Sequence, residues 1–149
     1  GLRDCLIPVE WVPEKRTMAK TRDMMKRAQH SFAADDAVVL FPSGRIARQS
    51  PSGLIEQSWL PAVVTFARKY GAPVVPLGLT ASNSWVYYFF DRFSPELRDM
   101  TLFYEMLNKE GETFALRFGP PVPAETLSGN PAEEAERLRR MAVSLAPQL

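Results

Sequence analysis

The chain has 149 residues, of which 46% are apolar, and a formal net charge of +1. That balance fits one folded domain, excludes a disordered chain, and gives no overall field to draw the protein to nucleic acid. No run approaches the roughly 20 apolar residues of a membrane span, and a single cysteine (Cys5) and a single histidine (His30) offer neither a disulfide framework nor a metal centre. The sequence opens on Gly1 rather than Met, from which a processed or truncated product is expected.

In chain order, Leu6-Ile-Pro-Val-Glu-Trp11 reads as a short strand or strand end. Beyond Pro13, the spacing of Met18, Thr21, Met25, Ala28 and Phe32 predicts a helix over Lys15–Phe32 with those residues facing the core. The opposite face carries Lys20, Arg22, Asp23, Lys26 and Arg27 and reads as a solvated face in preference to a patch for lipid headgroups. Asp35 and Asp36 end this segment. Ala37–Phe41 is a short unbroken apolar run, suited to a strand buried on both faces in a parallel sheet. Pro42 stops that strand, having no N–H to give a ladder. Gly44 permits a sharp turn and close approach to a ligand, and Arg45 and Arg48 offer planar donors to an oxyanion. Ser43, Gly44, Arg45 and Arg48 are therefore the candidate anion site, placed where parallel sheets present their ligand loops.

Gln49–Gly53 is a polar, turn-rich loop. A second helix runs from about Leu60 to Tyr70 with Trp59, Val63, Phe66, Ala67 and Tyr70 on one side, and Gly71 stands at its C′ position. Val74–Thr80 is a second apolar strand; Pro76 and Gly78 within it predict a strand that bends or pairs on one side only. Trp85–Leu107 holds half of the chain's sixteen aromatic residues. It reads first as a helical hairpin filling the core, with Ser94-Pro95-Glu96 starting its second helix, and alternatively as an acyl-chain pocket or a membrane-interface surface. Phe114–Phe118 is a further strand. Asn130 as N-cap, Pro131 at N1 and Glu133 as capping acid begin a final helix to about Leu145, with Ala135, Leu138, Ala142 and Leu145 inward. Strands alternating with helices predict a single α/β domain over residues 1–149, a mostly parallel sheet flanked by helices.

Phe41-Pro-Ser-Gly44 with its following arginines resembles the Phe-Pro-Glu-Gly-Thr-Arg block of the glycerolphosphate and lysophosphatidic acid acyltransferases. Ala72-Pro-Val-Val-Pro-Leu77 is similar to that superfamily's Val-Pro-hydrophobic-Val-Pro-Val block. Asn83-Ser84-Trp85, Leu97-Arg98, Glu105-Met-Leu-Asn-Lys109 and Phe118-Gly-Pro-Pro-Val122 resemble more narrowly its hemolysin-like and ornithine-lipid acyltransferase branch. The resemblance runs from about Leu6 to Leu145 and implies a glycerol-3-phosphate acyltransferase-like α/β fold. It implies a bacterial, membrane-associated enzyme of phospholipid biosynthesis that moves a fatty acyl group from acyl-CoA or acyl-ACP to a hydroxyl of a lysolipid or glycerol phosphate. The donor is a co-substrate, so no cofactor is implied. Ser43, Gly44, Arg45 and Arg48 would hold the acceptor's polar head at the inner, cytoplasmic face of the membrane.

The family has a glutamate where this chain has Ser43, which leaves the acceptor open; serine with following arginines is also similar to the plastid-type glycerol-3-phosphate acyltransferases, which hold phosphate with such arginines. The family block that ends in arginine reads Ile7–Trp11 here, with Arg16 the nearest substitute charge. The family's catalytic His-x-x-x-x-Asp, histidine as base on the acceptor hydroxyl, has a literal counterpart in His30–Asp35. Its place is wrong: it directly precedes the Phe-Pro segment instead of lying tens of residues ahead. At 100° per residue His30 also lies about 140° from Met25 and about 160° from Ala28, on the outer face. The chain is thus expected to hold no catalytic residue, the His-x-x-x-x-Asp pair belonging to an absent N-terminal segment. A truncated sheet would expose an apolar edge and could form a homodimer. The alternative is a non-catalytic lipid- or phosphate-binding domain that kept the loop.

Overall fold

The computed structural model describes residues 5–10, 12–50 and 53–146. Residues 6–10 carry no strand, and Trp11 lies outside the described residues. After a single 3-10 turn at Pro13–Lys15, helix α1 spans Met18–Ala33. It begins where Thr17 supplies a cap, its hydroxyl oxygen accepting from the Lys20 N–H at 3.2 Å. Only Ala28 of this helix is buried; Met18, expected inward, is 81% exposed, and Thr21 is exposed too. Apolar anchoring is concentrated at the C-terminal end, where the Phe32 ring stacks 4.5 Å from that of Tyr70 and 6.4 Å from that of Phe66.

The run Ala37–Phe41 is not a strand: it has no ladder partner among the described residues, and Val39, Leu40 and Phe41 are exposed. Apolar composition favours an extended, buried segment, but a strand exists only through hydrogen bonds to a neighbour. The turn-rich stretch that follows is a short hairpin, β1 (Arg48–Ser50) against β2 (Gly53–Ile55), paired antiparallel with Arg48 opposite Ile55.

Helix α2 (Ala62–Tyr70) ends as its sequence predicts, on Gly71 in the left-handed conformation at φ 63°, whose N–H donates to the Ala67 carbonyl. Strand β3 (Leu77–Thr80) pairs antiparallel with β4 (Ala115–Phe118), from Leu77 opposite Phe118 to Thr80 opposite Ala115. The pairing continues past Pro76, whose carbonyl accepts from the Gly119 N–H at 2.8 Å, to a bridge between Val74 and Val122. Pro76 gives only its carbonyl, and β3 pairs on one side only among the described residues. The helices α3 (Trp85–Asp91) and α4 (Pro95–Leu107) join the two strands. They return the chain to the end of β3 it left, since Thr80 faces Ala115, so β4 runs back along β3. The described strands therefore form two antiparallel pairs, not the mostly parallel sheet expected; a parallel pair would need a crossover along the sheet.

The last helix, α5 (Pro131–Leu145), is capped as expected by Asn130, whose side-chain oxygen accepts from the Ala132 N–H at 2.9 Å. The acid that reaches back is Glu134, to the Gly129 N–H at 3.3 Å, and not Glu133. Ala135, Leu138 and Ala142 are buried, and Leu145 is half-buried. Ala135 and Leu138 meet Val63, Val64 and Ala67 of α2 together with Val122 and Leu127, and Trp59, Val74 and Met141 flank this core. At the end of α5 the backbone comes so close to β3 that a Cβ on Gly78 would lie 2.7 Å from the Leu145 carbonyl carbon.

This core is small for the chain. The accessible surface is 11132 Å² for 16.8 kDa, against roughly 7,700 Å² for a compact monomer of that mass. The aromatic hairpin accounts for part of the excess. Instead of filling the core it buries only Tyr87 among its aromatic side chains, while Trp85, Phe93 and Phe103 are each more than 70% exposed.

Two substitutions test this packing by chemical denaturation. Gly78→Ala should cost about 2 kcal/mol, because the backbone of α5 and not a flexible side-chain tip must give way. Leu138→Ala should cost about 3 kcal/mol by opening a cavity in the core. Unchanged midpoints for both would mean that α5 does not lie on α2 and β3.

Candidate functional site

The loop between residues 41 and 48 is built by its backbone. The Gly44 N–H donates to the Phe41 carbonyl at 3.0 Å, closing the turn, and Gly44 has φ 59°. Nothing lies within 4 Å of where its Cβ would be, so glycine is needed here for backbone conformation and not for room. The Ser43 hydroxyl donates to the Arg45 carbonyl at 2.9 Å and accepts the Arg45 N–H at 3.4 Å. Ser43 therefore staples the turn locally. Behind the turn, the Leu60 N–H donates to the Pro42 carbonyl at 3.0 Å, tying the loop to the approach of α2. Further along, the Glu56 carbonyl accepts from Arg139 of α5 at 3.1 Å and the Glu56 carboxylate accepts from the Trp59 indole at 3.1 Å.

Arg45 and Arg48 are exposed, and neither guanidinium has a hydrogen-bond or ion-pair partner among the described residues. Arg45 stands on the turn itself; Arg48 opens β1. Two cationic forks three residues apart on a braced loop can give charge-assisted hydrogen bonds to an oxyanion. They cannot act as a general base. His30 is exposed on α1, no hydrogen bond or ion pair joins it to Asp35 among the described residues, and Asp35 itself has φ 60°. No cluster of histidine, cysteine, aspartate and glutamate among the described residues could hold a metal ion.

The most buried charged residue lies elsewhere. Glu105, 5% exposed, accepts from the Ser84 N–H at 2.8 Å and from the Ser84 hydroxyl, and pairs with Lys109 at 3.3 Å. Lys109 also donates to the Ser82 carbonyl at 3.0 Å, and the Asn83 N–H donates to the Tyr88 hydroxyl at 3.1 Å. Burial pushes the Glu105 carboxyl up, but the hydrogen bonds from Ser84 and Lys109 outweigh it and hold the group below its ordinary value. This cluster fastens α4 to the N-cap of α3. The sequence marks Asn83–Trp85 and Glu105–Lys109 as separate family-like blocks, with the i,i+4 spacing of Glu105 and Lys109 a visible signal, but gives no sign that the two blocks meet.

The sequence is 27% identical over 142 positions to the lyso-glycine lipid O-acyltransferase of Phocaeicola vulgatus, covering 90% of this chain and 51% of that protein. It is 25% identical to the lyso-glycine lipid O-acyltransferase of Bacteroides thetaiotaomicron, covering 90% of this chain and 52% of that protein. The chain thus spans about half the length of the curated relatives it matches. No family model matches, and no solved structure matches. The two relatives support a lipid acyltransferase line in general.

Glu105 gives a stability test. Since its folded pKa is lowered, its contribution is complete above the ordinary carboxylate range and is lost as pH falls through the lowered folded value. Glu105→Ala should lose about 3 kcal/mol near neutral pH, because Ser84 and Lys109 are left without their acceptor. Urea denaturation between about pH 7 and pH 3 should show a smaller acid-side loss in Glu105→Gln than in the parent. Equal losses in the two would mean that Glu105 is not a buried acceptor.

Proposed function

We propose that the whole protein is a lipid O-acyltransferase and that the present chain supplies the part that holds the acceptor's head. In this reaction the acceptor hydroxyl oxygen attacks the thioester carbonyl of acyl-CoA or acyl-ACP. A C–O bond forms, the C–S bond breaks, and the thiol leaves with the proton. The observation that carries the reading is the pair of exposed guanidinium groups of Arg45 and Arg48 at the Gly44 turn, without a partner among the described residues. The acceptor is a lysolipid whose head bears an oxyanion, a carboxylate or a phosphate; the relatives' names point to lyso-glycine lipid. The general base comes from outside these 149 residues, a reading supported by the exposed, isolated His30 and by relatives about twice as long.

The reading extends to where the enzyme works. Trp85, Phe89 and Phe93 form a continuous exposed row along and just beyond α3, their rings 6.3 and 5.0 Å apart. Aromatic rings are favoured at a membrane interface, and no described helix is long and apolar enough to cross one. This row rests on the cytoplasmic face of the membrane, where acceptor lipid is found.

In the full-length protein, Arg45→Ala and Arg48→Ala should each raise the acceptor KM by about tenfold with the thermal midpoint unchanged. Full-length protein that transfers no acyl group to any lysolipid would sink the enzyme reading and favour a binding domain. In co-sedimentation, Trp85→Ala with Phe93→Ala should weaken adsorption to phosphatidylcholine vesicles by roughly tenfold or more. If instead the pair of substitutions leaves adsorption intact and dissociates a dimer, a second copy covers the row.

A further inference from the structure

A cleft of about 600 Å³ lies between the polar face of α1 and the segments that flank it in sequence. Lys26 and His30, one turn apart on α1, line it together with Leu6, Ile7, Asp36 and Ala37. Three of the polar groups that line it are uncommitted: the side chains of Lys26, His30 and Asp36 have no partner among the described residues. Arg27, also at the cleft, is held by Asp23 at 3.0 Å. Lys26 is a flexible cation and the imidazole a directed donor, and two such groups at i,i+4 on one helix face reach the same ligand atom group. The aliphatic side chains of Leu6 and Ile7 take hydrocarbon, and the Asp36 carboxylate opposes an anionic head.

We propose that this cleft binds an oxyanion-headed amphiphile, its head on Lys26 and His30 and the start of its chain along Leu6 and Ile7. The site is separate from the Arg45–Arg48 loop and does not depend on the acyl-transfer reading, because binding is measured without turnover. The ligand's source is either a monomeric single-chain amphiphile or a lipid in a bilayer.

Isothermal titration of the chain with decyl phosphate below its micelle concentration, with inorganic phosphate, and with vesicles of phosphatidylcholine containing phosphatidic acid tests it. Decyl phosphate should bind at least tenfold tighter than inorganic phosphate, and Ile7→Ser should narrow that gap. Lys26→Ala and His30→Ala should each weaken binding about fivefold, whereas Asp36→Asn should tighten it by removing the like charge. A structural disturbance would not give opposite signs at exposed positions. Vesicle binding that shares these signs identifies a bilayer lipid; its absence, with decyl phosphate still bound, identifies a monomeric amphiphile. The proposal is overturned if decyl phosphate does not bind, if decanol binds as well as decyl phosphate, or if Lys26→Ala and His30→Ala change nothing. It is equally overturned if Arg45→Ala alone abolishes binding, which would return the anion to the loop.

Discussion

The seam between α2 and α5 is the constraint on which the other parts depend. Val63, Val64 and Ala67 on one side and Ala135 and Leu138 on the other are removed from water together with Val122 and Leu127. Each neighbouring element is tied to this seam by a polar contact or a close approach. Arg68 of α2 donates to the carbonyls of Leu127 and Gly129, fixing the approach to α5. Arg139 of α5 holds the Glu56 carbonyl beyond the hairpin, and Leu60 holds Pro42 at the turn. Gly78 lets β3 lie on the end of α5. The hydrophobic seam supplies the free energy, and these directed contacts decide what it positions.

The aromatic hairpin inverts the usual arrangement. Its inner joint is charged and its outer face is apolar. Glu105 is buried where Ser84 and Lys109 can satisfy it, whereas Trp85, Phe89 and Phe93 face water. Burying a carboxylate requires several donors in fixed places, and Ser84 meets that need while also capping α3. The same joint therefore sets the direction in which the exposed row points. A contiguous exposed apolar row has the physical character of a contact surface.

The two cationic places differ in construction. At the loop, backbone geometry does the positioning: a left-handed glycine, a serine that bonds its own turn, and arginines left to reach outward. At the cleft, a regular helix sets Lys26 one turn from His30, and the irregular segment at Leu6 and Ile7 supplies aliphatic lining. The run from Ala37 to Phe41 links them, spanning at most about 14 Å. Val39, Leu40 and Phe41 are exposed, so this run limits how far apart the two places can lie without itself packing on the core.

What the sequence determined by itself is local. Gly71, Ser94 and Asn130 mark helix ends through hydrogen bonds or dihedral angles confined to a few neighbouring residues, and the helices begin or end beside them. The Ser43–Gly44 turn was legible for the same reason, as was the one-sided pairing of β3 announced by Pro76. What only the tertiary structure decided is pairing and burial. Ala37–Phe41 has the composition of a buried strand but no partner among the described residues, Met18 has the spacing of a core residue but is exposed, and the aromatic hairpin lies open. Glu105, an ordinary helix glutamate by its sequence, is the most buried charge because Ser84 comes to it from twenty-one residues away. Periodicity records which face of a segment is apolar; whether that face is covered depends on contacts between residues far apart in the chain, which no local pattern encodes.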